Sequence, residues 1–435
     1  LISYYSQSHS YKELQNFITG GHQHILVNGI IGSSKALTVT SVLNQKGKQQ
    51  HVVILPDKEQ AAYFYNDAES LLEEADHELN QKKVLFYPTS YSRPYEPEKV
   101  DRAYQLSRTE VLKRTMSGDK KTIVITYPEA LAEKVITKKY LTKNLMKLRV
   151  GEEVSLDFIS DLLFELEFEL ADFVSEPGQF AIRGGIIDVF SFSNEHPYRI
   201  EFFGDEVETI RTFDPSTQLS VQNLNRITLL PNVQSRLILE NRIDFLEYIP
   251  SNTLLWFDNI DFTLDCIDKE YEKAAAGFEK LEETSNVTKP ELLFTNSNAV
   301  SKQLLTFSTI EFSTSSYFKN VTTINFKQKP QPSFNKNFDL LIDNIAKQSL
   351  DGYRCLIFSN NKKQVERLYA IFDDLQDQIS KKDRVRFNPV YQSLSYGFID
   401  TELKLLCYTD HQIFNRYHRF RLREGYGNKE VISIK

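Results

Sequence analysis

Residues 175–213, SEPGQFAIRGGIIDVFSFSNEHPYRIEFFGDEVETIRTF, set short alternating strands between explicit turn signals, and few folds satisfy that pattern. Side chains alternate along a strand, so Phe180 and Ile182 point one way while Gln179, Ala181 and Arg183 point the other. In the next strand Tyr198, Ile200 and Phe202 share one face, and Arg199, Glu201 and Phe203 share the opposite one. Pro177-Gly178, Gly184-Gly185, residues 194–197 and Gly204-Asp205 supply the turns. A small antiparallel sheet with one face in water meets these constraints. Its wet face carries Arg183, Arg199, Glu201 and Phe203, with Asp205 at the adjoining turn. Arginine beside an exposed aromatic is the composition of a contact surface.

The rest of the chain follows a different pattern. Its 435 residues are enough for three or four domains. Short apolar strands at 25–27, 51–56, 84–87 and 122–126 alternate with helical stretches such as 58–75 and 100–115. That alternation predicts a parallel sheet covered on both faces over residues 1–137. Residues 138–234 change to short alternating strands preceded by a helix at about 155–168. The α/β character returns over 235–326, with a strand at 254–257 and a helix at 262–281. The simplest account is one α/β domain interrupted by a small antiparallel-sheet (α+β) domain. The polar, proline-bearing stretch 327–337 reads as a linker. Residues 338–435 then form a second small α/β domain, with strands at 355–358 and 403–408 and a helix at 362–375.

Composition excludes several classes. No apolar run reaches the roughly 18–20 residues of a membrane-crossing helix, and no basic-then-apolar leader opens the chain. Cys266, Cys355 and Cys407 lie far apart and read as buried thiols of a reducing cytoplasm. The histidines are scattered too, so no metal and no cofactor is expected. A formal net charge of −7 argues against DNA as the main partner. The chain begins at Leu1 and stops at Lys435 without a terminal signal, so both ends read as cuts in a longer protein.

One motif points to lost chemistry. Gly29-Ile30-Ile31-Gly32-Ser33-Ser34-Lys35-Ala36 follows a strand and precedes a helical stretch, the setting of the phosphate loop G-x-x-x-x-G-K-[ST]. Gly29 and Lys35 fit. Ser34 replaces the second required glycine, and Ala36 replaces the hydroxyl that binds Mg²⁺, so phosphoryl transfer lacks its metal ligand. Downstream, 254–259 resembles the strand-plus-acid partner motif of a helicase-like ATPase, but Asn259 stands where the catalytic carboxylate belongs. An amide cannot take a proton from the attacking water. No nucleophile–base pair emerges elsewhere, and the reading is non-catalytic. In the tail, Phe414, Arg416, Tyr417, Arg419, Phe420, Arg421 and Arg423 interleave aromatics with arginines, as a strand-binding stripe for single-stranded nucleic acid does. The spacing of Phe414, Tyr417 and Phe420 also suits one packed helix face, and that reading is preferred.

The run EPGQFAIRGGIIDVF followed by PYRIEFFGDEVETIRTFD closely resembles the second domain of the transcription-repair coupling factor (Mfd) family, a module shared with the repair protein UvrB. YGFIDTELKLLCYTDHQIF resembles the third domain of the same family, and the resemblance extends more weakly over essentially the whole chain. It implies a degenerate helicase-like α/β domain interrupted by a docking domain for UvrA. The chain would be a non-catalytic adaptor that brings nucleotide excision repair to stalled RNA polymerase. Arg183, Arg199 and Glu201 match by position the polar residues that UvrB offers to UvrA, with Phe203 and Asp205 added from the face argument. Where UvrB carries another arginine, this chain has Ala181. The resemblance further implies that RNA polymerase and double-stranded DNA are contacted by parts of a longer protein, and that a C-terminal domain covers the docking face. The rival enzyme reading is a UvrB-like ATP-dependent damage-verification factor, for which an intact phosphate loop and a catalytic carboxylate are required.

Overall fold

The computed structural model describes the chain except residues 1, 22, 44–49, 92–93, 96–101, 119–120, 231–241, 281–287, 381–383, 418, 421–431 and 434–435. Seven strands form the largest sheet, in the order Thr322–Asn325, His24–Asn28, Ser308–Phe312, Leu254–Phe257, His51–Ile54, Ile123–Thr126, Val84–Phe86. Every neighbouring pair is parallel. His51–Ile54, Ile123–Thr126 and Leu254–Phe257 are buried at every position, as strands covered on both faces must be. Strands from before and after the small sheet therefore interleave in one layer. Side-chain caps fix the helices that cover it: Asp57 accepts from the Gln60 N–H at 2.8 Å, and Asn296 from the Ala299 N–H at 3.0 Å.

One buried polar pair lies inside this layer. The indole N–H of Trp256 donates to His51 Nδ1 at 3.1 Å, and both residues are buried. Burial, reinforced by the charge of Lys121, pushes the His51 imidazole down from 6.5 to about 4, which keeps it neutral and able to accept.

Between these halves, residues 169–224 build a six-stranded sheet in the order Ser220–Leu224, Glu206–Phe213, Tyr198–Phe203, Ile186–Val189, Gln179–Arg183, Glu169–Leu170. Its pairs are antiparallel apart from Glu169–Leu170 with Gln179–Arg183. Helix Leu156–Glu165, capped by the Ser155 hydroxyl, lays Ile159 and Leu163 on Phe180, Ile187 and Ile200. One sheet face is thus core.

The third unit has the strand order Gln328–Pro330, Phe398–Asp400, Leu405–Thr409, Arg354–Phe358, Asn388–Val390. Helices Phe338–Leu350 and Lys362–Leu375 supply Leu341, Ile345, Val365 and Leu368 to its core. Two expectations are corrected here. The stretch 327–337 is not a free linker, because Gln328–Pro330 pairs antiparallel with Phe398–Asp400 and both Gln328 and Phe334 are buried. An edge position tolerates Pro330, which has no N–H to give the ladder. The tail does not continue as an amphipathic helix. Helix Asp410–Ile413 stops before Asn415, whose backbone is left-handed (φ 46°), so Phe414 is buried while Tyr417 is exposed. Arg419–Phe420 instead pairs with Ile432–Ser433, and Arg421 and Arg423 lie outside the described residues. Among the described residues, no helix is long and apolar enough to cross a membrane.

The buried His51 sets a pH dependence whose sign is fixed. Its folded value lies below the unfolded one, so its contribution is complete above 6.5 and is lost as pH falls toward 4. Between about pH 7 and about pH 5, the unfolding free energy of the parent is expected to fall about 2 kcal/mol further than that of His51→Gln. Urea titrations at both pH values check this, and equal losses would contradict it.

Candidate functional site

The outer face of the small sheet is organised in rows by strand register. Ala181, Asp188, Arg199 and Arg211 lie opposite one another in sequence across four strands. The next row holds Arg183, Ile186, Glu201 and Thr209. Beyond a bulge after Glu201, Phe203 and Glu206 end the hairpin. Arg183, Arg199, Glu201 and Phe203 are therefore on neighbouring rows of one surface, with Asp205 exposed in the turn beside them.

Their chemistry centres on Asp188, which is fully buried. Arg199 holds it bidentately, with Nε on Oδ1 at 2.7 Å and Nη2 on Oδ2 at 2.8 Å. Arg183 pairs with the same carboxylate from the other side. A buried carboxylate needs such partners, since leaving it unpaired costs several kcal/mol. Arg199 also reaches Gln218 at 3.1 Å and stacks over the Phe213 ring at 4.4 Å. Its pairing with Asp188 raises its pKa above the ordinary arginine value. Glu201 is bound by Arg211, with one nitrogen at 2.8 Å, and by the Thr209 hydroxyl at 2.7 Å. These hydrogen bonds hold its carboxyl below the usual range. Two guanidiniums on one carboxylate leave positive charge to spare, and Arg183 lies half-exposed over the ring of Phe173, itself 63% exposed. Phe203 is 79% exposed at the hairpin tip. The result is a face of aligned, partly satisfied charges beside bare aromatic surface, which suits protein recognition.

The structure departs from a uniformly wet face at Ala181. It is buried with Val174, Phe190 and Phe213 in a small second core, because residues following Leu170 fold over that corner. Sequence reasoning also missed Asp188, Arg211 and Phe173. Asp188 left a signal as the lone carboxylate in the apolar run 186–190. The bulge after Glu201 shifts the count along the hairpin, so the pairing of Glu201 with Arg211 could not be counted from the turn.

The phosphate-like loop is filled by protein. The Ile31 N–H donates to the side-chain oxygen of Gln328 at 3.1 Å, and the Ser34 hydroxyl donates to the same atom. The Ser33 N–H donates to the Tyr396 carbonyl at 3.2 Å. Two glycines are required by close approach: a Cβ on Gly29 (φ 74°) would lie 2.2 Å from the Phe326 carbonyl oxygen, and one on Gly32 (φ 57°) 3.0 Å from Tyr396 Cβ. Lys35 is paired with Asp258, and Ala36 is buried at the start of helix Ser34–Leu43. Asn259 caps helix Ile260–Glu279 by accepting from the Phe262 N–H at 2.8 Å. Among the described residues, no three His, Cys, Asp or Glu side chains gather as a metal-binding group.

Residues 146–234, which comprise the small sheet, its helix and the flanking strand pair Met146–Arg149 with Arg226–Leu229, match the family described as the UvrB interaction domain. The chain is also 28% identical over 250 residues to the transcription-repair-coupling factor of Bacillus subtilis (strain 168), a match covering 57% of this chain and 20% of that protein. It is 30% identical over 230 residues to the same factor of Staphylococcus haemolyticus, covering 53% and 19% respectively. UvrABC system protein B of Thermosipho africanus is 27% identical over 239 residues, covering 52% of this chain and 34% of that protein. The matches thus span about a fifth of each coupling factor and a third of the UvrB relative. Residues 146–234 thus match the UvrB interaction domain model, and the chain is similar over about half its length to transcription-repair-coupling factors and UvrABC system protein B.

The geometry makes Asp188 the anchor of both arginines. Asp188→Ala is expected to destabilise the chain by about 3 kcal/mol, because two cations lose their shared partner. Asp188→Asn keeps the shape and an acceptor, and is expected to lose less. Urea unfolding measures both, and a loss under about 1 kcal/mol for the alanine variant would contradict the assignment.

Proposed function

We propose that this chain is a non-catalytic adaptor that binds UvrA through the outer face of the small sheet and thereby recruits nucleotide excision repair to stalled transcription. The observation that carries this reading is the three-row surface within the matched interaction domain. Arg183 and Arg199 are held on Asp188, Glu201 on Arg211, and Phe203 stands bare at the tip. Preorganised side chains lose little freedom on binding, so such a face gains affinity from contacts that need no reordering. Arg183 and Phe203 are the expected anchors, as exposed arginine and aromatic side chains are at interfaces generally. Contacts with RNA polymerase and duplex DNA are assigned, within this proposal, to parts of a coupling factor other than these residues.

The competing enzyme reading, an ATP-dependent damage-verification factor, finds little support. Lys35 is engaged by Asp258, the loop amides of Ile31 and Ser33 are engaged by Gln328 and Tyr396, and Asn259 is a helix cap. Phosphate recognition needs those amides and that lysine free.

Calorimetric titration of UvrA into the chain tests the adaptor reading. The parent is expected to bind, and Arg183→Ala and Phe203→Ala each to weaken binding by about 2 kcal/mol. Absence of binding by the folded parent would end the proposal.

A further inference from the structure

The third unit raises a question that the docking reading leaves open: what holds it to the rest of the chain. Its sheet has two apolar faces. Cys355, Ile357, Leu406 and Tyr408 point into the core under its own helices. Leu356, Phe358, Leu405 and Cys407, at the alternate positions, pack instead into the core of the seven-stranded unit. A sheet that is apolar on both faces needs both covered, and here the second cover is the other α/β unit.

At the polar centre of this joint lies the phosphate-like loop. Gln328 sits in the third unit's edge strand, and its side-chain oxygen takes the Ile31 N–H and the Ser34 hydroxyl. Its amide nitrogen donates to Asp400 at 3.0 Å and to the Tyr5 hydroxyl at 3.2 Å. Residues 395–397, which lead into the neighbouring strand Phe398–Asp400, meet the same loop. The Tyr396 N–H donates to the Ser33 hydroxyl at 2.9 Å, and the Ser33 N–H returns a bond to the Tyr396 carbonyl at 3.2 Å. The buried Asp67 joins both units, accepting from the Ser33 hydroxyl at 2.5 Å and from the Ser395 N–H at 2.7 Å and hydroxyl at 2.8 Å. An amide oxygen and a backbone carbonyl thus occupy donors that such a loop ordinarily turns to a phosphate.

We propose that the former nucleotide cleft has become a permanent joint, in which Gln328 and residues 395–397 stand where phosphate oxygens would and lock the two α/β units into one nucleotide-independent body. The loop has kept its shape because its amides still have oxygen partners, while the metal ligand and the base have no remaining role. Closing these two units against each other requires no ligand.

Two buried thiols separate undocking from unfolding. Cys407 lies in the core shared by the units, whereas Cys355 lies in the third unit's own core. The full chain is exposed to a thiol reagent, and labelling of each cysteine is followed by peptide mass spectrometry. In the parent, Cys407 is expected to label slowly and at the same rate with or without saturating MgATP. Gln328→Ala, and separately Ser33→Ala, are expected to speed Cys407 labelling at least tenfold, as losing buried hydrogen bonds at a joint implies, with Cys355 unchanged. The proposal is overturned if neither variant changes Cys407. It is overturned equally if Cys355 accelerates in parallel, since the third unit is then unravelling, or if MgATP alters the parent's Cys407 rate.

Discussion

A carboxylate sealed from water must be neutralised by its own neighbours, and Asp188 imposes that constraint on the whole outer face of the small sheet. Its position in strand register with Ala181 and Arg199 determines where the guanidiniums lie. Those guanidiniums in turn rest on Phe213 and Phe173, so the charged layer is seated on aromatic rings. Glu201 and Arg211 complete the surface one row away. Within this pairing Arg183 stays half-exposed at the rim, and Phe203 stands bare at the tip.

The same rule governs the loop at residues 29–36. A loop shaped to present several backbone N–H groups to an anion cannot be buried with those donors empty. Gln328 and Tyr396 fill them here, and Asp67 draws Ser33 and Ser395 together beneath. On the proposal made above, the donor array has exchanged a soluble ligand for the neighbouring unit.

Sequence legibility followed the range of the interactions involved. Strand Leu254–Phe257 and helix Lys362–Leu375 take the bounds that periodicity assigns, because apolar runs and amphipathic spacing are local signals. The alternation of Tyr198–Phe203 was equally legible, and it put Arg199, Glu201 and Phe203 on one face. Gln328 was not legible, since a polar residue between two lysines gives no sign that its partners Ile31 and Ser34 lie almost three hundred residues away. The tail failed for a local reason, a left-handed Asn415 that ends the helix before Tyr417 can join Phe414. Asp188 was visible but silent: one acid in an apolar strand acquires meaning only when the register places two arginines beside it.

Phe203 and Phe158 offer the most direct test of where a partner docks. Both are exposed, Phe203 on the arginine face and Phe158 on the helix that covers the opposite side of the sheet. A photocrosslinking phenylalanine analogue placed at each position, in the presence of UvrA, reads out contact without depending on affinity. The account predicts a UvrA adduct from position 203 and none from 158. An adduct from 158 alone, or none from 203 when binding is otherwise detected, would contradict it.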